Sequence, residues 1–144
     1  MRRILTPGLL AIWLVLVAVA APVGAADRHE ISIDAITTFD AEPDEFTATG
    51  IPGCPGGEVA DGPAIVQFTP GPGVYAGFKE FSCKDSSGGF ILRLNARFGP
   101  TGSTGTWTVV ESWGDAAGMA GAGKLWGEPI EDGILDHYQG YLTF

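Results

Sequence analysis

The segment that decides the fold class is Gly89-Phe90-Ile91-Leu92-Arg93-Leu94-Asn95-Ala96-Arg97-Phe98, in which residues alternate between two faces. In an extended strand successive side chains point to opposite sides, so every second residue shares a face. One face is wholly apolar and carries Phe90, Leu92, Leu94, Ala96 and Phe98. A helix would scatter these residues around its axis, so the segment predicts a half-buried β-strand.

The rest of the chain after residue 26 has the composition of further short strands. Segments 29–39, 74–83, 106–113 and 134–144 are long enough for full strands, and 46–49, 64–68 and 124–126 are shorter candidates. Pro-Gly pairs and the run 85–89 mark turns, and residues 114–121 have room for one helical turn. The apolar phase of segment 29–39 slips near Ala35, where a bulge would fit.

Eight strands joined by turns indicate an all-β domain. We expect an eight-stranded antiparallel barrel, because closure removes the two exposed edges of a single sheet. A β-sandwich is the second choice, since pattern alone does not separate the two architectures.

The first 26 residues have the three parts of a secretory signal peptide: Arg2 and Arg3, an apolar run over 9–21, and small residues at 23–26. The alternative is a membrane anchor, but the apolar run is shorter than the about 20 residues that cross a bilayer. Pro22 would also end a helix there. We expect removal of residues 1–26, export from the cytoplasm, and a single domain over 27–144.

The charge of that domain limits its partners. All 17 acidic residues follow position 26, whereas two of the eight basic residues belong to the signal segment. An acidic surface repels nucleic acid and anionic lipid. We therefore expect no nucleic-acid partner and no stable membrane insertion after cleavage.

Cys54 and Cys83 are the two cysteines of the chain, and in an exported domain they are expected to form a disulfide. The alternatives are a reactive thiol and a zinc site. Zinc takes three or four ligands, and only His29 and His137 could assist the two thiolates. We predict no metal site at these cysteines.

Four segments in a fixed order resemble a known family: 83–90 (Cys-Lys-Asp-Ser-Ser-Gly-Gly-Phe), 105–110, 117–125 and 133–140. They resemble small secreted bacterial proteins whose barrel is similar to that of allene oxide cyclase and dirigent proteins. The resemblance covers roughly residues 30–144 and implies eight antiparallel strands around an apolar cavity. Where that family often has Gly-Thr-Gly, this chain has Glu111-Ser112-Trp113-Gly114-Asp115. No catalytic constellation matches, so the resemblance implies a fold and not an activity.

Asp136 is the candidate for chemistry, because period-two counting places it on the apolar face with Ile134, Tyr138 and Leu142. A carboxylate inside a barrel could bind a ligand or act as a general acid or base. The alternative is that Asp136 caps a turn at the strand entrance.

Aromatic and basic residues supply the ligand-binding candidates. Trp107 and Tyr138, with Trp113, Trp126, Tyr75 and Tyr141 as possible neighbours, could line an apolar site, although core packing explains them equally well. Arg93 and Arg97 could face inward and hold an anion, or could be solvated charges outside the barrel.

An acidic run around Pro43 could bind calcium through Asp40, Glu42, Asp44 and Glu45, with Glu58 and Asp61 nearby. The spacing lacks the glycine and the final glutamate of a calcium loop, so a solvated turn is the expected structure.

These patterns predict an exported, non-catalytic binder of a small apolar or amphipathic ligand, with no cofactor indicated. The alternatives are an isomerase or cyclase acting on a small hydrophobic substrate in the barrel, and an envelope protein that contacts other proteins.

Overall fold

The computed structural model describes residues 27–39, 43–85 and 87–144. The predicted signal segment, together with Asp40 and Glu42 of the acidic run, lies outside these residues. The strands are β1 (His29–Thr38), β2 (Asp44–Thr49), β3 (Gly56–Gln67), β4 (Gly73–Cys83), β5 (Gly89–Gly99), β6 (Gly102–Trp113), β7 (Ala120–Ile130) and β8 (Gly133–Thr143).

A single 3₁₀ turn in the described residues, Gly114–Ala116, connects β6 to β7, within the segment predicted to hold one helical turn. Over the same ranges, the chain forms no helix with the length and apolarity of a membrane span.

The eight strands close into a barrel in which each strand pairs antiparallel with its chain neighbours. β1 closes the barrel by pairing with β8, from His29 opposite Leu142 to Thr38 opposite Gly133. The eight-stranded antiparallel barrel is therefore confirmed, and the β-sandwich is not formed. Closure satisfies the edge groups that an open sheet would leave unpaired.

The strand details differ from the sequence prediction at three places. β1 pairs with β8 without a register shift around Ala35, which is buried, so the bulge expected there was wrong. The described pairings shift instead between Asp61 and Ala64 in β3, and between Ile91 and Leu92 in β5. β3 and β7 are also longer than predicted, because glycine, proline and alanine occupy many of their positions.

The barrel is filled with side chains at the end where β2, β4, β6 and β8 finish, which we call the packed end. Phe81 stacks on Phe90 with ring centroids 4.9 Å apart, and Phe46 packs edge-on to Phe81 at 5.1 Å. Ile33 and Leu92 are buried in the same cluster. Each such side chain stabilises the fold by about 1.5–3 kcal/mol through removal from water.

A disulfide secures this packed end. Cys54, in the connection from β2 to β3, bonds Cys83 at the end of β4, with an S–S distance of 1.98 Å. Both half-cystines are buried. The predicted pairing is confirmed, and it ties two neighbouring connections to the aromatic cluster.

Candidate functional site

The opposite end of the barrel, where β1, β3, β5 and β7 finish, contains an open cavity of about 900 Å³. This volume lies in the range of about 300–1,000 Å³ that is usual for small-molecule sites. Its wall is largely apolar and its mouth carries Phe39 and Phe68, whose side chains are exposed. The apolar wall is formed by Val66, Leu94, Ala96, Phe98, Leu125 and Ile134.

Small residues on the inner face create this space. A Cβ atom on Gly77 would lie 2.6 Å from the Cβ of Ala64 and 2.8 Å from the Tyr75 hydroxyl oxygen. A Cβ atom on Gly127 would lie 2.6 Å from the Asp136 Oδ1 atom. Glycine at these positions leaves room for Tyr75 and Asp136 to extend over their neighbours, since atoms at such separations would overlap.

Four polar side chains from four strands meet in the cavity, and we call them the polar cluster: Thr37, Asp61, Lys79 and Asp136. The Lys79 Nζ lies 3.0 Å from Asp61 Oδ1 and 3.7 Å from Asp136 Oδ2. It also donates a hydrogen bond of 2.7 Å to the Thr37 hydroxyl, which donates to Asp136 Oδ2 at 3.4 Å. Lys79 is only 5% exposed, so its charge depends on these partners.

Asp136 has an unusual proton affinity. Burial raises its pKa, the Lys79 charge and the Thr37 hydrogen bond lower it in part, and the nearby Asp61 charge adds to the increase. The net pKa lies above the usual value of a carboxyl group. A carboxyl group that accepts a proton more readily than usual, inside a cavity, is suited to bind or transfer a proton.

Two tyrosines complete the lining. The Tyr75 and Tyr138 hydroxyl oxygens are buried and have no hydrogen-bond partner within the described part of the chain. Burial, reinforced by the carboxylates of the polar cluster, raises the pKa of Tyr75 to about 12 and that of Tyr138 well above its usual value. Both phenols therefore remain protonated and able to donate a hydrogen bond.

The structure brings two of the predicted site residues to the cavity. Asp136 and Tyr138 point inward from β8 as period-two counting indicated, and Asp136 contacts Thr37 and Lys79 rather than capping a turn. Their functional roles stay predictions.

The other predicted ligand contacts lie elsewhere. Trp107 is buried, and its indole N–H donates to the Lys124 carbonyl at 3.0 Å, so it packs the core beside the cavity. Arg93 and Arg97 are exposed on the outer face, because they alternate with the inward residues of β5. The inward position considered for the two arginines is therefore not adopted, and an anion inside the barrel would not meet them.

The predicted acidic run is only partly described. Asp44 is buried and accepts hydrogen bonds of 2.8 Å from the Thr38 backbone N–H and hydroxyl. Asp61 contributes to the polar cluster instead. Among residues 27–39, 43–85 and 87–144, no group of three or more His, Cys, Asp or Glu side chains is arranged to hold a metal ion.

Lys79 is the cavity residue that the sequence analysis missed. A signal for it exists, because counting back by twos from Phe81, which is wholly buried, places Lys79 and Tyr75 on the inner face of β4. A charged residue on such a face is costly unless paired, which marks it as a candidate site residue.

The sequence matches no protein-family model, and no curated protein is significantly similar to it. The functional conclusion therefore rests on the cavity and on the groups that line it.

Proposed function

We propose that this protein binds a small amphipathic ligand in the open half of its barrel and does not transform it. The observation that carries this proposal is a cavity of about 900 Å³ with an apolar wall and a polar cluster inside. Sites for small molecules commonly combine apolar walls with a few polar groups that orient the ligand. The exposed apolar mouth gives such a ligand a route to the interior.

Two further features support export and a family assignment. The first 26 residues have a signal-peptide pattern, and the Cys54–Cys83 disulfide suits an oxidising compartment. The antiparallel eight-stranded barrel and the segments between 83 and 140 support a relationship to small secreted bacterial proteins with barrels like those of allene oxide cyclase and dirigent proteins. The acidic composition supports a partner other than nucleic acid.

The first test is chemical and works whatever the ligand is. Native mass spectrometry of the exported protein is expected to show a bound small molecule, which denaturation and solvent extraction then release. Binding of the neutral dye Nile red, followed by its fluorescence increase, gives a second measurement.

A matched pair of variants locates the binding. Ala96→Trp places an indole in the cavity and should abolish Nile red binding, whereas Asn95→Trp adds the same group to the outer face of the same strand. Equal binding by both variants would show that the dye binds outside the barrel. Failure of the wild-type protein to bind either an extracted molecule or the dye would refute the proposal.

Asp136 favours an isomerase or cyclase as the second candidate, because a buried carboxyl of raised pKa beside Lys79 could exchange a proton with a bound substrate. Conversion of small hydrophobic epoxides and ketones, followed by chromatography, tests this candidate. Asp136→Asn should remove any turnover, and Asp34→Asn on the outer face serves as the control. If no turnover depends on Asp136, this candidate is discarded.

A further inference from the structure

The cavity also indicates which chemical class of ligand it accepts. We infer that the polar group of the ligand is an uncharged oxygen acceptor, best supplied by a ketone or aldehyde carbonyl, that receives hydrogen bonds from the Tyr75 and Tyr138 hydroxyls. This inference rests on the proposed binding function and adds the ligand class and the two residues that determine it.

The two tyrosines provide donors for which the fold supplies no acceptor. Tyr138 is wholly buried, Tyr75 is half-buried, and neither hydroxyl has a partner among the described residues. The nearest candidate acceptor in the cavity, Asp136, already receives Thr37 and lies beside Lys79. A buried hydroxyl without a partner is unfavourable, so an oxygen atom of a ligand that accepts both protons would be held at this position.

Local packing holds the Tyr75 and Tyr138 rings in place. Tyr138 packs edge-on to Phe81, with ring centroids 5.7 Å apart, which joins it to the packed end. Tyr75 lies over Gly77, with its hydroxyl oxygen 2.8 Å from the position that a Cβ would take there. The charge of one phenol would act on the other, and both feel Asp136. The two donors are thus fixed near the same polar cluster.

The charges of the cavity argue against a charged ligand group. Lys79 is the one ammonium among the described cavity residues, and it is already engaged by Asp61, Asp136 and Thr37. An anionic ligand would meet two carboxylates without a cation of its own. A cationic ligand would meet Lys79 and two phenols that remain protonated. A neutral acceptor avoids both penalties, since desolvated like charges repel strongly.

The wall fixes the other half of the ligand. Leu94, Phe98, Leu125 and Ile134 surround the space between the polar cluster and the mouth, so the body of the ligand is apolar. A carbonyl at one end of an apolar chain or ring system matches this division of the cavity.

The test compares four probes that share chain length and differ in the polar group: methyl heptyl ketone, nonane, nonanoate and nonylamine. Each competes with Nile red for the wild-type protein at neutral pH. We expect the ketone to bind about tenfold more tightly than the other three, as two hydrogen bonds to a desolvated carbonyl would give.

Three phenol-removing variants identify the donors. Tyr75→Phe and Tyr138→Phe should each weaken ketone binding by several-fold and leave nonane binding unchanged, whereas Tyr141→Phe, which is exposed outside the barrel, should change neither. The carbonyl stretch of the bound ketone, measured by infrared difference spectroscopy, should move to lower wavenumber and return toward its free value in Tyr138→Phe. Thermal unfolding checks that each variant is folded.

The outcomes separate this inference from the proposed function. Tightest binding of nonanoate or nonylamine, or equal weakening of all four probes by the tyrosine variants, would overturn the inference while ligand binding stands. Displacement of Nile red by none of the four would also overturn it. Failure of Nile red itself to bind, with no extracted ligand, would remove the proposed function and this inference with it.

Discussion

Replacement of Lys79 by methionine tests whether the polar cluster is held together by one buried cation. Methionine keeps most of the apolar length of lysine and removes only the charge. Asp136, whose side chain is 12% exposed, then loses its ion pair and retains only the Thr37 hydrogen bond. Asp61 is affected less, because its side chain is 46% exposed and water screens it.

The expected cost follows from this asymmetry. Removal of one partner of a buried ion pair typically costs about 3–5 kcal/mol, and the open cavity places this pair at the lower end, near 3 kcal/mol. For a domain of this size, about 4 °C of melting temperature corresponds to each kcal/mol, so Lys79→Met should unfold about 12 °C earlier at neutral pH.

The pH dependence has a defined sign. The folded-state pKa of Asp136 is raised above its unfolded value, so its contribution to stability is present below the unfolded pKa and is lost as pH rises through the folded pKa. Removal of Lys79 takes away an interaction that lowers this pKa, which enlarges the penalty at neutral pH. Protonation of Asp136 near about pH 4 removes the buried charge, so the deficit of the variant should shrink there.

Circular dichroism melts at both pH values measure the effect. The double variant Lys79→Met/Asp136→Asn should recover most of the lost stability at neutral pH, because it leaves no buried carboxylate without a cation. A melting temperature within about 3 °C of wild type at neutral pH would refute the reasoning, as less than 1 kcal/mol would then be at stake. A deficit that is equal at both pH values, or persists in the double variant, would refute it too.

Two further predictions concern the packed end and the barrel wall. Replacement of Cys54 and Cys83 by serine should lower the free energy of unfolding by about 3–4 kcal/mol in urea titrations, because the disulfide closes a loop with a sequence separation of 29 residues; a loss below about 1 kcal/mol would contradict the loop-closure account. Gly123→Ala should cost about 1–3 kcal/mol in the same assay, since its Cβ would lie 2.7 Å from the Trp107 ring. Gly99→Ala, which meets nothing within 4 Å, should be nearly neutral, and equal effects of the two changes would contradict the packing argument.

Local alternation predicted most strands, but failed where the barrel needs small residues. β5 and β8 carry large inward residues at every second position, so their period is visible. β7 carries Gly123 and Gly127 at inward positions because Trp107 and Asp136 fill the space opposite. The reason for each glycine lies on a partner strand, which a local pattern does not contain.

The candidate site was predictable in part for the same reason. Asp136 and Tyr138 stand out on the apolar face of one strand. Lys79 and Asp61 become part of the site only through the register that sets β3 and β4 beside the end of β1, with a shift between Asp61 and Ala64. The pairing of a charged residue with carboxylates from other strands is a tertiary property, so the sequence indicated the barrel but not its internal ion pairs.

The division of the barrel into a disulfide-secured packed end and an open end has a practical consequence for protein engineering. Residues that stabilise the chain and residues that would select its guest occupy opposite halves of one small scaffold. We expect a library randomised at Leu94, Phe98 and Leu125 to yield folded members with altered guest preference, because the cross-linked aromatic base is left intact.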